Sequence, residues 1–496
     1  MVTLFSLLSL AIVLPIICAL LIMFCGRYAN IRDTLMVVGS FSLVIVVYLL
    51  ITHYLDGYTP LITWFNIIPH VDVTFALDPL GLLFALLVSV LWLMTSVYGI
   101  GYMRANDKPG QTRFFAYIAL TIASTMGVAL ASNLFTLFIC YECITLLTYP
   151  LVTYGKKEAD LKAGRLYLAM LLFPSMVFLL PSMLIIWFHV GRLDFIQGGI
   201  IGDHIDPQLT IFLVLMTMYG ASKAALMPLH RWLPAAMVAP IPVSALLHAV
   251  AVVNAGVFTI LKLVIYIFGY QHLQTLSHTY QELEVLTWIA IITLIAASII
   301  ALRKDDFKQM LAYSTISHLA YVVLAASLFT PKAILAGILH MVGHALAKIT
   351  MFFAAGNIAT THNKTKISEL TGIGLQMPLT MACFTIAAFS LVGMPLTFGM
   401  YAKWYFFQGA FENANTTVMI VLFISTMLNI AYFFPIIYRA FFKKPVNQSF
   451  VPGINESPYP MMLALTLTAC LIILLFIWPD RIMQLAHLAL SPGGTP

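Results

Sequence analysis

Charge is what this sequence has least of. Asp, Glu, Lys and Arg make up 9% of its 496 residues, where soluble domains hold about 25%, so a soluble fold with a solvated charged surface is excluded. Cysteine is scarce too. Cys18, Cys25, Cys383 and Cys470 stand singly within apolar runs, and the C-x-x-C of Cys140 and Cys143 has no further ligands at workable spacing. These read as packing residues rather than a zinc or iron–sulfur centre. No G-x-x-x-x-G-K-[ST] loop occurs, nor a G-x-G-x-x-G after a strand, so neither ATP nor a dinucleotide is expected. No cofactor and no metal site is expected.

What fills the chain is apolar sequence: 61% hydrophobic residues and a mean hydropathy of +0.97. Runs of 18 or more apolar residues, long enough to cross roughly 30 Å of hydrocarbon as helices, recur throughout. The pattern predicts an all-α membrane protein with about fourteen spans. These are 3–25, 34–53, 79–102, 113–131, 133–154, 165–189, 209–229, 243–269, 285–302, 307–329, 332–358, 378–408, 415–441 and 458–479. The continuous runs exclude a β-barrel. The first run lacks a basic n-region and is too long for a signal-peptide core, so it reads as a retained span. Loops are short, giving one membrane domain over 1–496.

Lys and Arg test that division, since cytoplasmic loops hold the excess. With the N-terminus outside, the cytoplasmic loops hold Arg27, Arg32, Arg104, Lys108, Arg113, Lys156, Lys157, Lys162, Arg165, Arg231, Arg303, Lys304, Lys308, Lys364, Lys366, Arg439, Lys443 and Lys444, against Arg192, Lys332 and Arg481 opposite. Both termini are therefore expected on the non-cytoplasmic side. The net charge of +6 reports topology and attraction to the lipid bilayer, not a nucleic-acid partner.

Four lysines remain inside spans: Lys223, Lys262, Lys348 and Lys403. Glu142, in "LFICYECITLLTYPLV", is the acid expected deep in hydrocarbon, and His248, His318, His340 and His344 join it. Intramembrane charge costs about 2.5–3.5 kcal/mol on insertion scales, so such residues face the bundle interior or water and mark ion paths. Lys262, near the outer end of its span, could instead snorkel to the interface. Glu142 has no such escape and must be neutral or paired. His340, His344 and Lys348 stand at i, i+4 and i+8, one stripe of a helix at roughly 6 Å spacing, a row that can relay protons. With no carboxylate or third ligand beside them, the two histidines do not suggest a metal. Asp305 and Asp306, among Arg303, Lys304 and Lys308, read as a solvated cluster near a proton entrance.

Two spans are interrupted beside a lysine. Pro228 and Pro234 follow Lys223 in span 7, and Gly393 and Pro395 precede Lys403 in span 12. Breaks at corresponding positions of two halves point to an ion pathway near the midplane. Spans 4–8 (113–269) and 9–13 (285–441) then form two inverted five-helix repeats, preceded by spans 1–3 (1–112) and followed by 458–479.

"APIPVSALLHAVAVVNAGVF", "KQMLAYSTISHLAYV" and "HMVGHALAKITMFFAAGNI" resemble the signatures of spans 8, 10 and 11 in a known family. It is that of the antiporter-like proton-conducting subunits shared by respiratory complex I and the multisubunit Mrp Na+/H+ antiporters. The resemblance implies an ion-pair switch at Glu142 and Lys223, a lead-in through Lys262, His248 and His318, a central row of His340, His344 and Lys348, and an exit at Lys403. Some relatives carry a lysine where this chain has Asn254, with Lys262 two turns later. Lys403 in place of a glutamate, and "GMPLTFGMYAKWYF", resemble the Mrp D type. The resemblance implies a proton-translocating subunit that sits with other membrane subunits in a bacterial inner membrane, moving protons, with Na+ as the candidate counter-ion. The alternatives are a proton-pumping subunit of a complex I-like NADH:quinone oxidoreductase or membrane-bound hydrogenase, and a membrane subunit of an inorganic-carbon uptake system.

Overall fold

The computed structural model describes residues 2–68, 71–443 and 453–491; Lys444, counted above among the basic loop residues, lies outside them. Among the described residues, twelve helices are long and apolar enough to cross a membrane, and two shorter apolar helices stand seventh and twelfth in chain order. The first half comprises α1 (Val2–Phe24), α2 (Ala29–Leu55), α3 (Pro79–Ala105), α4 (Gln111–Leu130), α5 (Leu134–Val152), α6 (Glu158–Val190), α7 (Pro207–Gly220) and α8 (Ile241–Phe268). The second comprises α9 (Gln281–Leu302), α10 (Phe307–Ala326), α11 (Pro331–His362), α12a (Pro378–Val392), α12b (Gly399–Glu412), α13 (Thr416–Phe441) and α14 (Tyr459–Ile477). The chain is an all-α membrane protein, and each of the spans read from the sequence overlaps one of these helices.

Burial ranks the helices. The apolar stretches of α8 and α11 are 100% buried, against 39% for α1, α2, α6, α13 and α14, so the polar residues of α8 and α11 are shielded by protein and the outer helices present the apolar surface. α11 is ringed by α3, α8, α10, α12a, α12b and α14. Its start is fixed by Pro331 in the first turn and by Thr330, whose hydroxyl accepts the Ala333 N–H at 3.3 Å.

Three local features depart from the sequence reading. Residues between α2 and α3 form an antiparallel hairpin, β1 (Leu61–Ile68) and β2 (Val71–Ala76). It is clamped to the α4–α5 turn where the Ser132 N–H donates to the Thr74 carbonyl at 3.1 Å. Helix α8 is broken at Val250 and Ala251 with neither Gly nor Pro there to announce it. Single π-helical turns occur at Ser175–Leu179 in α6 and at Leu263–Phe268 in α8, the kind of irregularity often found at functional positions.

Candidate functional site

The interruption after Lys223's helix is built by close packing. α7 stops at Gly220, where any Cβ would come within 2.6 Å of the Leu179 backbone nitrogen. The chain then turns through Ser222–Ala224 into Ala225, which has φ +55°. Gly256 of α8 lies against this turn so closely that a Cβ would overlap the backbone of Lys223 and Ala224. Lys223 is thereby placed fully buried against α5.

Its partners are those of Tyr141, not Glu142. The ammonium donates to the Tyr141 carbonyl at 2.8 Å and lies 3.1 Å from the Tyr141 ring centroid, while the Lys223 N–H donates to the Tyr141 hydroxyl at 3.1 Å. Glu142, 7% exposed, has neither carboxylate oxygen hydrogen-bonded among the described residues. The expected Glu142–Lys223 pair is therefore present as neighbours without direct contact. Tyr141 is the residue the sequence reading passed over, although it stands beside Glu142 in "ICYECIT". Cys140, in the same stretch, packs its sulfur 2.6 Å from where a Cβ on Gly127 would be, and both Cys140 and Cys143 are free thiols.

His248 ends the first segment of α8, fully buried, with its ring 4.8 Å from that of Phe352 and both ring nitrogens unpartnered among the described residues. It lies within electrostatic reach of Lys348 and His344. Asn254, standing where relatives carry lysine, donates its side-chain N–H to the Ala249 carbonyl at 2.6 Å. It thus satisfies an acceptor that the break would otherwise leave bare in an apolar interior.

The second half holds a continuous row. His318 of α10 inserts between the two α11 histidines: its Nδ1 lies 3.2 Å from Nε2 of His340, and its ring stacks at 5.3 Å on His340 and 5.9 Å on His344. His318 belongs to the row itself rather than leading into it. One turn further on α11, the Lys348 ammonium is held by the Ser314 hydroxyl and by the Leu311 carbonyl at 3.3 Å. In the other direction Tyr321 stacks on His340 at 5.2 Å and donates its hydroxyl to Ser425 at 2.6 Å. The half-buried Lys403, at the start of α12b, lies over the Tyr321 ring at 5.4 Å and donates to the Thr426 hydroxyl at 2.8 Å. Tyr321, Ser425 and Thr426 join the α11 stripe to Lys403, and no spacing rule along one helix could have found them.

Lys262 does not snorkel. It is fully buried, in an ion pair of 2.9 Å with Asp78, about 21 Å along α8 from His248 at a helical rise of 1.5 Å per residue. The structure does not bring it to the row. Asp305 and Asp306 serve the loops: Asp306 accepts the Gln309 N–H at 2.8 Å as the cap of α10, and Asp305 accepts the Ser368 N–H and hydroxyl at 2.9 and 2.8 Å. Beside them a cavity of about 1250 Å³ opens among basic loops, lined by Arg113, Lys156, Lys308 and Lys364.

A transport site made of buried, mutually touching titratable groups and no bound prosthetic group fits what this chain is similar to. Residues 131–429 match the family described as NADH:quinone oxidoreductase/Mrp antiporter, TM, and residues 64–115 match NADH-Ubiquinone oxidoreductase (complex I), chain 5 N-terminus. NADH-quinone oxidoreductase subunit L of Escherichia coli (strain K12) is 30% identical over 478 residues, covering 93% of this chain and 76% of that protein. A K(+)/H(+) antiporter component of Rhizobium meliloti (strain 1021) is 30% identical over 389 residues, 76% of this chain and 38% of that protein. A chain in the structure of the Mrp complex from Dietzia sp. DQ12-45-1b superposes with a TM-score of 0.85 at 19% identity, covering 99% of this chain and 98% of that one. The chain is a proton-translocating, antiporter-like membrane subunit, and it belongs to the NADH:quinone oxidoreductase/Mrp antiporter transmembrane family.

Proposed function

We propose that this chain is the proton-translocating subunit of a cation/proton antiport assembly of the Mrp D type, with Na+ as the exchanged cation. The observation that carries the reading is the row Lys348, His344, His318 and His340, Tyr321, Lys403, in which buried titratable or hydroxyl-bearing groups from three helices follow one another at stacking or hydrogen-bonding distance. Protons enter from the basic side, through the cavity beside Lys308. They pass along the row by exchange between imidazoles, and leave at Lys403. Glu142 takes its input from a partner subunit. Its unpaired carboxylate and the adjacent Lys223 form a switch: bringing the two together cancels a buried charge, and parting them restores it. Both termini face away from the cytoplasm, and the membrane is the bacterial inner membrane.

The test is to reconstitute the assembly that co-purifies with the tagged chain and measure potential-driven proton flux. Lys348→Met should cut the flux at least ten-fold with assembly intact; wild-type flux in that variant would sink the reading. The 93% coverage by a NADH-quinone oxidoreductase subunit favours a second reading, a pumping subunit of a redox complex. Flavin and iron–sulfur subunits in the purified assembly would select it, and Na+-dependent proton flux without them would select the antiporter.

A further inference from the structure

The Lys262–Asp78 pair stands apart from the row, and its surroundings are asymmetric. The ammonium is fully buried and the Asp78 side chain is 20% exposed, at a separation of 2.9 Å. The ammonium also donates to the carbonyls of Ala131 at 2.8 Å and Ala129 at 3.5 Å, and the rings of Phe195 and Phe258 close over it at 4.6 and 5.4 Å. Asp78 is held by its second role as cap of α3, one oxygen accepting the Gly81 N–H at 2.8 Å while the other meets Lys262. A Cβ on Gly81 would lie 2.8 Å from that second oxygen, so the fold keeps this corner tight. The hydroxyl of Tyr266, 3% exposed and unpartnered among the described residues, stands beside the carboxylate, and Tyr54 is within its electrostatic reach. Among the described residues, Asp78 is the titratable group that both touches the ammonium and reaches the surface.

That arrangement suits a transfer rather than a mere tie. Moving one proton from the ammonium to the carboxylate breaks an N–H bond, forms an O–H bond and leaves the electron pair on Nζ. It converts an ion pair into a neutral pair and creates no charge in the low-dielectric interior. The exposed carboxylic acid can then release its proton to water, and the remaining carboxylate beside neutral Lys262 draws a replacement from the interior side. We propose that Asp78 is a proton-relay residue and that Lys262 and Asp78 form a second proton outlet, on the hairpin side of the first half, separate from Lys403. This rests on the chain's being a proton conductor, as inferred above.

Two variants separate relay from tie. Lys262→Arg keeps a cation against Asp78 but cannot give up its proton, and Asp78→Asn keeps an oxygen for the ammonium but cannot take one up. The assembly co-purified with the full-length chain is reconstituted in liposomes holding a pH-sensitive dye, and flux is driven by a valinomycin-set K+ potential. Expected is a fall in initial flux of at least ten-fold in both variants, with recovery of the assembly unchanged. Wild-type flux in Lys262→Arg alongside lost flux in Lys348→Met would overturn the outlet and leave the proposed function standing, whereas wild-type flux in Lys348→Met would overturn the function itself. Should one of the two variants not be recovered, the other decides.

Discussion

The Lys223 ammonium donates to the backbone carbonyl of Tyr141 at 2.8 Å, while the carboxylate of the next residue, Glu142, has no hydrogen-bond partner among the described residues. Lys223 is thus anchored by a group that cannot titrate, and Glu142 is left free to respond. Replacing Glu142 with Gln removes a costly buried carboxylate without breaking any hydrogen bond seen here. Glu142→Gln is therefore expected to be at least as heat-stable as the wild type in detergent, while potential-driven proton flux falls ten-fold or more. A drop in melting temperature together with normal flux would refute this division of labour.

The turn carrying Lys223 leans on Gly256, where a Cβ would overlap the backbone of Lys223 and Ala224. Backbone cannot step aside as a flexible side chain can, so Gly256→Ala must push the turn away from α8. Overpacking of this kind costs about 1–3 kcal/mol. The expected outcome is a lower melting temperature, with Lys223 displaced from Tyr141 and flux reduced. Thermal unfolding followed by size exclusion, with flux on the same preparation, checks both.

The positions of the buried charges along the chain were legible because hydropathy marks spans and charge within a span is conspicuous. The α11 stripe was legible because i, i+4 spacing fixes which side chains share a helix face. Contacts between helices were not. His318 enters the row from α10, Tyr321 links it to Lys403, and Asp78 reaches Lys262 across 184 positions of sequence. Those pairings depend on how helices pack, which no local pattern encodes. Asp78 was hidden for a further reason: at the end of a span it looks like any helix cap, and it is one. The β-hairpin escaped because its strands, Leu61–Ile68 and Val71–Ala76, are short beside the apolar runs that flank them.

The break in α8 rests on Asn254, whose side chain donates to the Ala249 carbonyl at 2.6 Å. Asn254→Ala leaves that carbonyl unsatisfied in a fully buried helix, at a cost of about 1–3 kcal/mol. Thermal stability should fall accordingly, and Asn254→Gln should recover part of the loss. An Ala variant as stable as the wild type would show that the carbonyl finds another donor.

Outside the membrane, the Asp305 carboxyl is held below its usual range by the Ser368 hydroxyl and N–H, which bond to its charged form. A carboxyl with a depressed folded pKa stabilises the contact above the unfolded value, and that contribution is lost as pH falls through the folded one. The amides of residues 365–369 should therefore be protected at neutral pH. They should exchange a few-fold faster, after correction for intrinsic rate, as pH drops through the folded pKa. Asp305→Asn should abolish that dependence, and hydrogen exchange read by mass spectrometry measures it.

The most direct test of the row concerns His318, which lies fully buried with its Nδ1 3.2 Å from His340 Nε2 and its ring over both α11 histidines. Phenylalanine at this position preserves the ring stack and the apolar packing but offers no nitrogen. It also relieves a buried imidazole whose Nε2 has no partner among the described residues. His318→Phe is therefore expected to leave stability unchanged or raise it, and to cut proton flux at least ten-fold, because His340 and His344, whose centroids are 6.3 Å apart, lose the group between them. His318→Gln, which keeps a donor and an acceptor but cannot be protonated near neutral pH, separates two roles for the imidazole. Flux retained in Gln but not in Phe would mean that His318 orients its neighbours by hydrogen bonding. Flux lost in both would mean that the proton passes through the ring itself.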